Sequence, residues 1–139
     1  MLRNSGNGFK LRNLVCINAL PSEVHDWVSE ALGAQINTVY TNTLFGSVAA
    51  SYSRWYDTPR GSLGRAVPGY AIETVNENGG ILPPRREGRL TISREEPPAS
   101  VEQAAAQRSA GASSIEGWVV TGDVGFKDED GNIWLSNSD

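Results

Sequence analysis

One histidine, His25, and one cysteine, Cys16, are all that the chain offers for imidazole or thiol chemistry. A Ser-His-Asp relay has to use His25, and a Cys-His pair has to bring Cys16 beside it. His25 falls on the polar side of a helical pattern, which predicts exposure. Cys16 falls inside a short apolar run, which predicts an inert thiol in a buried strand. Both nucleophile readings therefore fail, and two soft ligands are too few for a zinc site. The carboxylates Asp128, Glu129 and Asp130 form a run that predicts a solvated hairpin tip, because no further ligands follow at calcium-loop spacing. Asp123 closes a Thr121-Gly122-Asp123 triplet, which taken alone is an ordinary turn or strand-end carboxylate. Asn4-Ser-Gly-Asn-Gly8 is glycine-rich but lacks the threonines and lysine of a phosphate cradle. Tyr52, Trp55 and Tyr56 sit close together and read as packing aromatics rather than a substrate cage.

Those residues must be positioned by a single domain, since 139 residues is one domain's length. Hydrophobic residues make up 39% and charged residues 20%, with 15 glycines and 7 prolines, so turns are frequent. A net charge of -4 gives no basic footprint for nucleic acid or for an anionic membrane surface. No apolar run approaches the ~20 residues of a membrane span. Met1 to Lys10 is polar and has no apolar signal core, and one cysteine excludes an internal disulfide. The expected location is cytoplasmic.

Leu11 to Ile17 reads as a short strand. Val24, Trp27, Val28, Ala31 and Leu32 then recur at helical spacing, after Pro21 and before Gly33, so this stripe is expected to face the core. Gln35 to Tyr40 alternates as a strand, which makes a βαβ unit. Residues 41–60 read as a long loop with at most a short strand. Tyr70 to Val75 and Glu87 to Ser93 are strands, and Asn76 to Gly80 is a turn. Ser100 and Gln103 form a capping box for a helix over Ser100 to Ala110. Trp118 to Thr121 and Asn132 to Leu135 bracket the turn at Asp128 to Gly131 as a hairpin.

Three blocks occur in order: Tyr40-Thr-Asn-Thr-Leu-Phe-Gly46, Gly61-Ser-Leu-Gly-Arg-Ala-Val-Pro-Gly69, and Gly117-Trp-Val-Val-Thr-Gly-Asp123. Pro83-Pro84 and Glu87-Gly88 follow the second block, and Asp128 to Gly131 and Ser136 to Asp139 follow the third. Together they resemble the later part of the large domain of AMP-forming acyl-CoA synthetases, with the acetyl and medium-chain branch nearest. The resemblance runs from about Leu11 to Asp139. It implies a mixed α and β fold. Residues 1–46 are then a βαβ remnant of a parallel sheet, ending in a Tyr-x-x-Thr motif. Residues 47–139 are an antiparallel, barrel-like subdomain with one extra helix, carrying Thr-Gly-Asp.

In that family a carboxylate attacks ATP to give an acyl-adenylate and pyrophosphate, and coenzyme A then displaces AMP. The resemblance implies a nucleotide contact by Tyr40, Thr41, Asn42, Thr43 and Asp123, with Tyr40 against adenine, Thr43 on phosphate and Asp123 on the ribose hydroxyls. The motifs also depart from the family. Leu44 stands where the magnesium-binding glutamate is usual, Thr41 stands for glycine, and Ile17-Asn-Ala19 replaces the turn that lines adenine. Ser136 and Asn137 replace the hinge glycine and arginine, while Asp139 keeps the aspartate. The phosphate loop and the carboxy-terminal lysine domain have no counterpart in these residues. The expectation is a fragment or degenerate relative of an acyl-CoA ligase. Its implied cofactor is ATP or AMP, with coenzyme A and magnesium confined to an intact relative, and its implied partners are a nucleotide and a carboxylic acid. The alternative is a non-catalytic adenosine-binding or interaction module, or one piece of a split synthetase.

Overall fold

The computed structural model describes residues 11–94, 114–115 and 118–136. β1 (Asn13–Ile17) leads into α1 (Ser22–Leu32). Gly33, in the left-handed conformation at φ 58°, ends the helix and returns the chain to β2 (Gln35–Asn42), which lies parallel to β1. β3 (Gly46–Ala50) and β4 (Arg65–Ala66) add antiparallel strands, giving a sheet A of order β1-β2-β3-β4. Sheet B contains β5 (Tyr70–Val75), β6 (Gly88–Arg94), β7 (Ser114–Ile115), β8 (Trp118–Lys127) and β9 (Ile133–Leu135). Its order is β5-β6-β8-β7, with β9 paired to β8, and every pairing is antiparallel. The fold is thus mixed and mostly β: a parallel βαβ unit followed by a curled antiparallel sheet. The helix expected over Ser100 to Ala110 lies outside the described residues.

The core sits between the sheets. Tyr40, Val48 and Ala49 come from sheet A, Ile72, Leu90, Ile92 and Ile133 from sheet B, and Leu63 from the connection. A backbone bridge fastens that connection. The Leu63 N–H donates to the Ile133 carbonyl at 2.8 Å, and the Ile133 N–H donates to the Gly64 carbonyl at 2.8 Å. Gly64 has φ +80°, and a Cβ there lies 2.0 Å from the Ala50 carbonyl oxygen. Only glycine lets the two backbones approach so closely.

Three expectations are corrected. The stripe on α1 faces outward: Val24, Trp27 and Leu32 are 42%, 58% and 39% exposed. His25 and Ser29, expected outside, are half-buried and line a cavity with Gln35, Thr38, Ser51 and Ser62. His25 and Ser29 meet the sheet and its connection across this cavity, and most of the apolar stripe is left over. The Asp26 carboxylate ties the helix to Arg60 in that orientation. Second, β1 is not a buried strand. Cys16 is half-buried, whereas Val15 and Ile17 on the other face are 61% and 71% exposed. Among the described residues β1 has a neighbour on one side only, and one face of the sheet is left uncovered there. Third, Asp128 is not a solvated tip residue but is 6% exposed. Its Oδ1 accepts the N–H groups of Asp130 (3.0 Å) and Asn132 (2.8 Å), and its Oδ2 accepts Asn132 Nδ2 (3.0 Å) and Trp134 Nε1 (3.1 Å). The carboxylate is the hub of the β8–β9 turn.

Two stability predictions result. Gly64→Ala should destabilise the fold by about 3 kcal/mol or more, because the backbone itself must shift. Asp128→Ala should destabilise it by roughly 2–4 kcal/mol, because it strands buried donors of Asn132 and Trp134. Burial acts to raise the Asp128 pKa, but the hydrogen bonds from Trp134, Asn132 and the backbone outweigh it and leave the carboxyl below its usual value. This stabilisation is therefore complete above the unfolded carboxyl's pKa and is lost as pH falls through the depressed folded one. Urea unfolding followed by tryptophan fluorescence, at neutral and acid pH, checks both variants.

Candidate functional site

Tyr40 and Asp123 meet where the two sheets meet. Each sits at an irregularity in its ladder. On β2 the register jumps after Tyr40, which pairs with Ala49 while Thr41 pairs with Ser47. On β8 the pairing with β6 passes from Thr91↔Val120 to Arg89↔Val124, so Thr121, Gly122 and Asp123 together face Leu90. Bulges of this kind re-aim side chains that strict alternation fixes to one face. The Thr121 hydroxyl fills the gap in the ladder, donating to the Leu90 carbonyl at 2.9 Å and accepting the Asp123 N–H at 3.2 Å.

The Tyr40 hydroxyl donates to Asp123 Oδ2 in a short hydrogen bond. Tyr40 is 3% exposed, whereas Asp123 is exposed. Burial, and then the bond to Asp123, push the phenol well above its ordinary pKa, with Thr121 offsetting part of the rise. The phenol stays protonated and acts as a fixed donor. Asp123 is thus held through both its backbone and its side chain, with its carboxylate at the surface. A ligand hydroxyl could donate to it there.

The other expected contacts are placed differently. Thr41 and Thr43 are exposed. Asn42 is occupied within its own turn, where its Oδ1 accepts the Leu44 N–H at 2.9 Å. Leu44 is half-buried and brings no oxygen, and among the described residues no three His, Cys, Asp or Glu gather as a metal site. The donor set does not fit magnesium, which takes oxygen ligands. Sequence reasoning missed that Tyr40 holds Asp123, because 83 residues separate them and no local pattern reports the pairing. It also missed Thr121 as the residue that fixes Asp123, although a hydroxyl two residues before a carboxylate is a signal for such a turn.

No protein-family profile matches the chain. Among individual proteins it is similar to acyl-coenzyme A synthetase ACSM3 of Rattus norvegicus, 28% identical over 97% of this chain and 24% of that protein. Its structure is similar to an acyl-CoA synthetase of Brucella canis, at 25% identity and TM-score 0.69, covering 89% of this chain and 23% of the other. ATP-bound MatB of Rhodopseudomonas palustris shares the fold, at 21% identity and TM-score 0.72, over 87% of this chain and 24% of that one. The chain is homologous to a segment of the AMP-forming acyl-CoA synthetases and has that segment's fold. It spans about a quarter of the length of the relatives it matches.

Tyr40→Phe should destabilise the fold by about 1–2 kcal/mol, since one hydrogen bond to a partly solvated carboxylate is lost. A phenol whose folded pKa is raised adds stability that is intact below the unfolded value, about 10, and is lost as pH rises above it. Wild type should therefore lose more stability than Tyr40→Phe between neutral and strongly alkaline pH. Paired urea titrations at the two pH values measure the difference.

Proposed function

We propose that this chain is the adenosine-facing segment of an AMP-forming acyl-CoA ligase, and that these 139 residues alone bind an adenosine nucleotide weakly without activating a carboxylic acid. The observation that carries the reading is the exposed Asp123 carboxylate, held in place by Tyr40 and Thr121 between the two sheets. A carboxylate in that position accepts hydrogen bonds from a ribose diol, as an acidic residue does in other nucleotide sites. Tyr40, Thr41, Asn42, Thr43 and Asp123 border the nucleotide in this reading. The main contribution of Tyr40 is to hold the carboxylate, and Thr41 and Thr43 offer exposed hydroxyls. Leu44 leaves magnesium unheld, so phosphate charge is not neutralised and the attacking carboxylate is not aligned.

A second reading rests on the bare surfaces. Val15, Ile17, Trp27 and Trp55 are between 58% and 83% exposed. Parallel sheets are ordinarily covered on both faces. A piece of a split synthetase, docking the remaining parts of the ligase on these surfaces, accounts for them.

Hydrogen bonds to ribose contribute roughly 1–3 kcal/mol together, and ordering the ligand offsets much of that. AMP should therefore bind with a Kd of about 1 mM or weaker. ATP should bind no tighter, magnesium should change neither affinity, Asp123→Ala should remove binding, and no pyrophosphate should be released from ATP and a carboxylic acid. Calorimetry with AMP and ATP, with and without magnesium, together with a pyrophosphate assay, checks this. Magnesium-ATP binding roughly tenfold tighter than AMP, a difference of about 1.4 kcal/mol, overturns the proposal.

A further inference from the structure

The turn between β5 and β6 holds two asparagines in opposite circumstances. The Asn76 side chain is engaged: its Oδ1 accepts the N–H groups of Asn78 and Gly80, both at 2.9 Å. Its backbone closes the turn as well, with the Asn76 N–H on the Gly80 carbonyl at 2.9 Å and the Gly79 N–H on the Asn76 carbonyl at 3.1 Å. Asn78 is exposed, and no hydrogen bond among the described residues uses its carboxamide. Gly79 follows it at φ 82°. Among the described residues Asn78 is the one asparagine that precedes a glycine, and the carboxamides of Asn37, Asn42 and Asn132 are engaged like that of Asn76.

A free carboxamide ahead of a glycine is a reactive arrangement. Gly79 has no Cβ to shield its backbone nitrogen, and that nitrogen closes a five-membered ring on the Asn78 side chain, so the attack is intramolecular. We infer that Asn78 is a site of self-modification, converted by its own backbone to aspartate and isoaspartate, and that Asn76 is the brake on the reaction. The Gly79 nitrogen bonds to Asn78 Cγ, the Cγ–Nδ2 bond breaks, and the amide proton departs with Nδ2 as ammonia. Water then opens the cyclic imide. Addition at Cγ gives aspartate, and addition at the backbone carbonyl gives isoaspartate, with the chain rerouted through Cγ. Water is the only co-reactant, and no atom changes oxidation state. Attack requires the Gly79 N–H to leave the Asn76 carbonyl and lose its proton, so the bonds that Asn76 makes hold the nitrogen back. They lie at the surface of a turn, where local opening costs little, so the brake slows the reaction without stopping it. Arg89 caps the same turn, its Nη2 reaching the Asn76 and Glu77 carbonyls at 3.4 and 3.2 Å, so the new negative charge enters a turn that already carries a cation. The turn contains neither Tyr40 nor Asp123, and the site stands apart from the nucleotide reading.

The test is incubation of the whole folded chain in heavy-oxygen water at mildly alkaline pH, followed by tryptic mass spectrometry of the peptide between Arg65 and Arg85 and by isoaspartate-specific methyl transfer. Asn78 should lose ammonia and take up one labelled oxygen from the water, and isoaspartate should appear at that position, with Asn76 in the same peptide unchanged. Asn78→Gln, whose longer side chain closes a less favourable six-membered ring, should lose the conversion. Asn76→Ala should speed it about tenfold, the effect of losing one or two hydrogen bonds that keep the turn closed. The same chain unfolded in urea, where the turn is absent, should also convert faster than the folded one. Should Asn76→Ala fail to fold, the wild-type chain with and without urea still measures the brake. An unmodified Asn78 in the folded chain, after a time that converts the unfolded chain fully, overturns the site, as does equal conversion of Asn76. Equal rates in folded wild type, folded Asn76→Ala and urea overturn the brake.

Discussion

A buried phenol must find an acceptor, and in this fold the acceptor lies on the other sheet. Tyr40 is part of the central core, so its ring and its hydroxyl impose two demands at once. The ring belongs to the core cluster that both sheets share, and the oxygen must reach Asp123. Each of the two residues lies at a bulge in its own sheet. Asp123 is itself exposed, so the pair avoids the large desolvation of a fully buried charge. The bridge from Leu63 and Gly64 to Ile133 keeps the same two sheets in register. The site and the core are therefore one construction: whatever moves the sheets apart moves the carboxylate.

The surfaces divide in a similar way. Thr38 and Tyr40 share a face of β2, which covers α1 at one end and the inter-sheet core at the other. Val15 and Ile17, opposite in the pleat, are left bare. α1 turns His25 and Ser29 to the cavity beneath it and most of its apolar stripe outward. The spacing of Val24, Trp27, Val28, Ala31 and Leu32 states which side of the helix is apolar, but its orientation is settled by the surface that receives it.

Local chemistry was readable from the residues. Gly33 stops α1 where a glycine C-cap is expected, the β5 boundaries match the alternating run at Tyr70 to Val75, and the acidic turn before Gly131 marks the β8–β9 hairpin. Each of these depends on neighbours a few residues away. The orientation of α1, the burial of Asp128 and the partner of Asp123 depend on residues that no window contains. Asp128 is the instructive case: three acids in a row read as a solvated run, yet Asn132 and Trp134 draw the first of them inside. The Thr-Gly-Asp triplet was singled out by resemblance, but its bulge opposite Leu90 was not, because a register shift leaves no mark in one strand alone.

The distance along the chain between Tyr40 and Asp123 also sets an entropy cost for closing the seam. Closing a loop of 83 residues costs roughly 3 kcal/mol more entropy than closing the four-residue turn at Asp128 and Asn132. The hairpin and the βαβ unit rest on contacts nearer in sequence than those of the inter-sheet seam. The Asp123 carboxylate is set in place by a contact between residues 83 apart in the chain. A nascent or partly unfolded chain can thus have most of its secondary structure before it has a site.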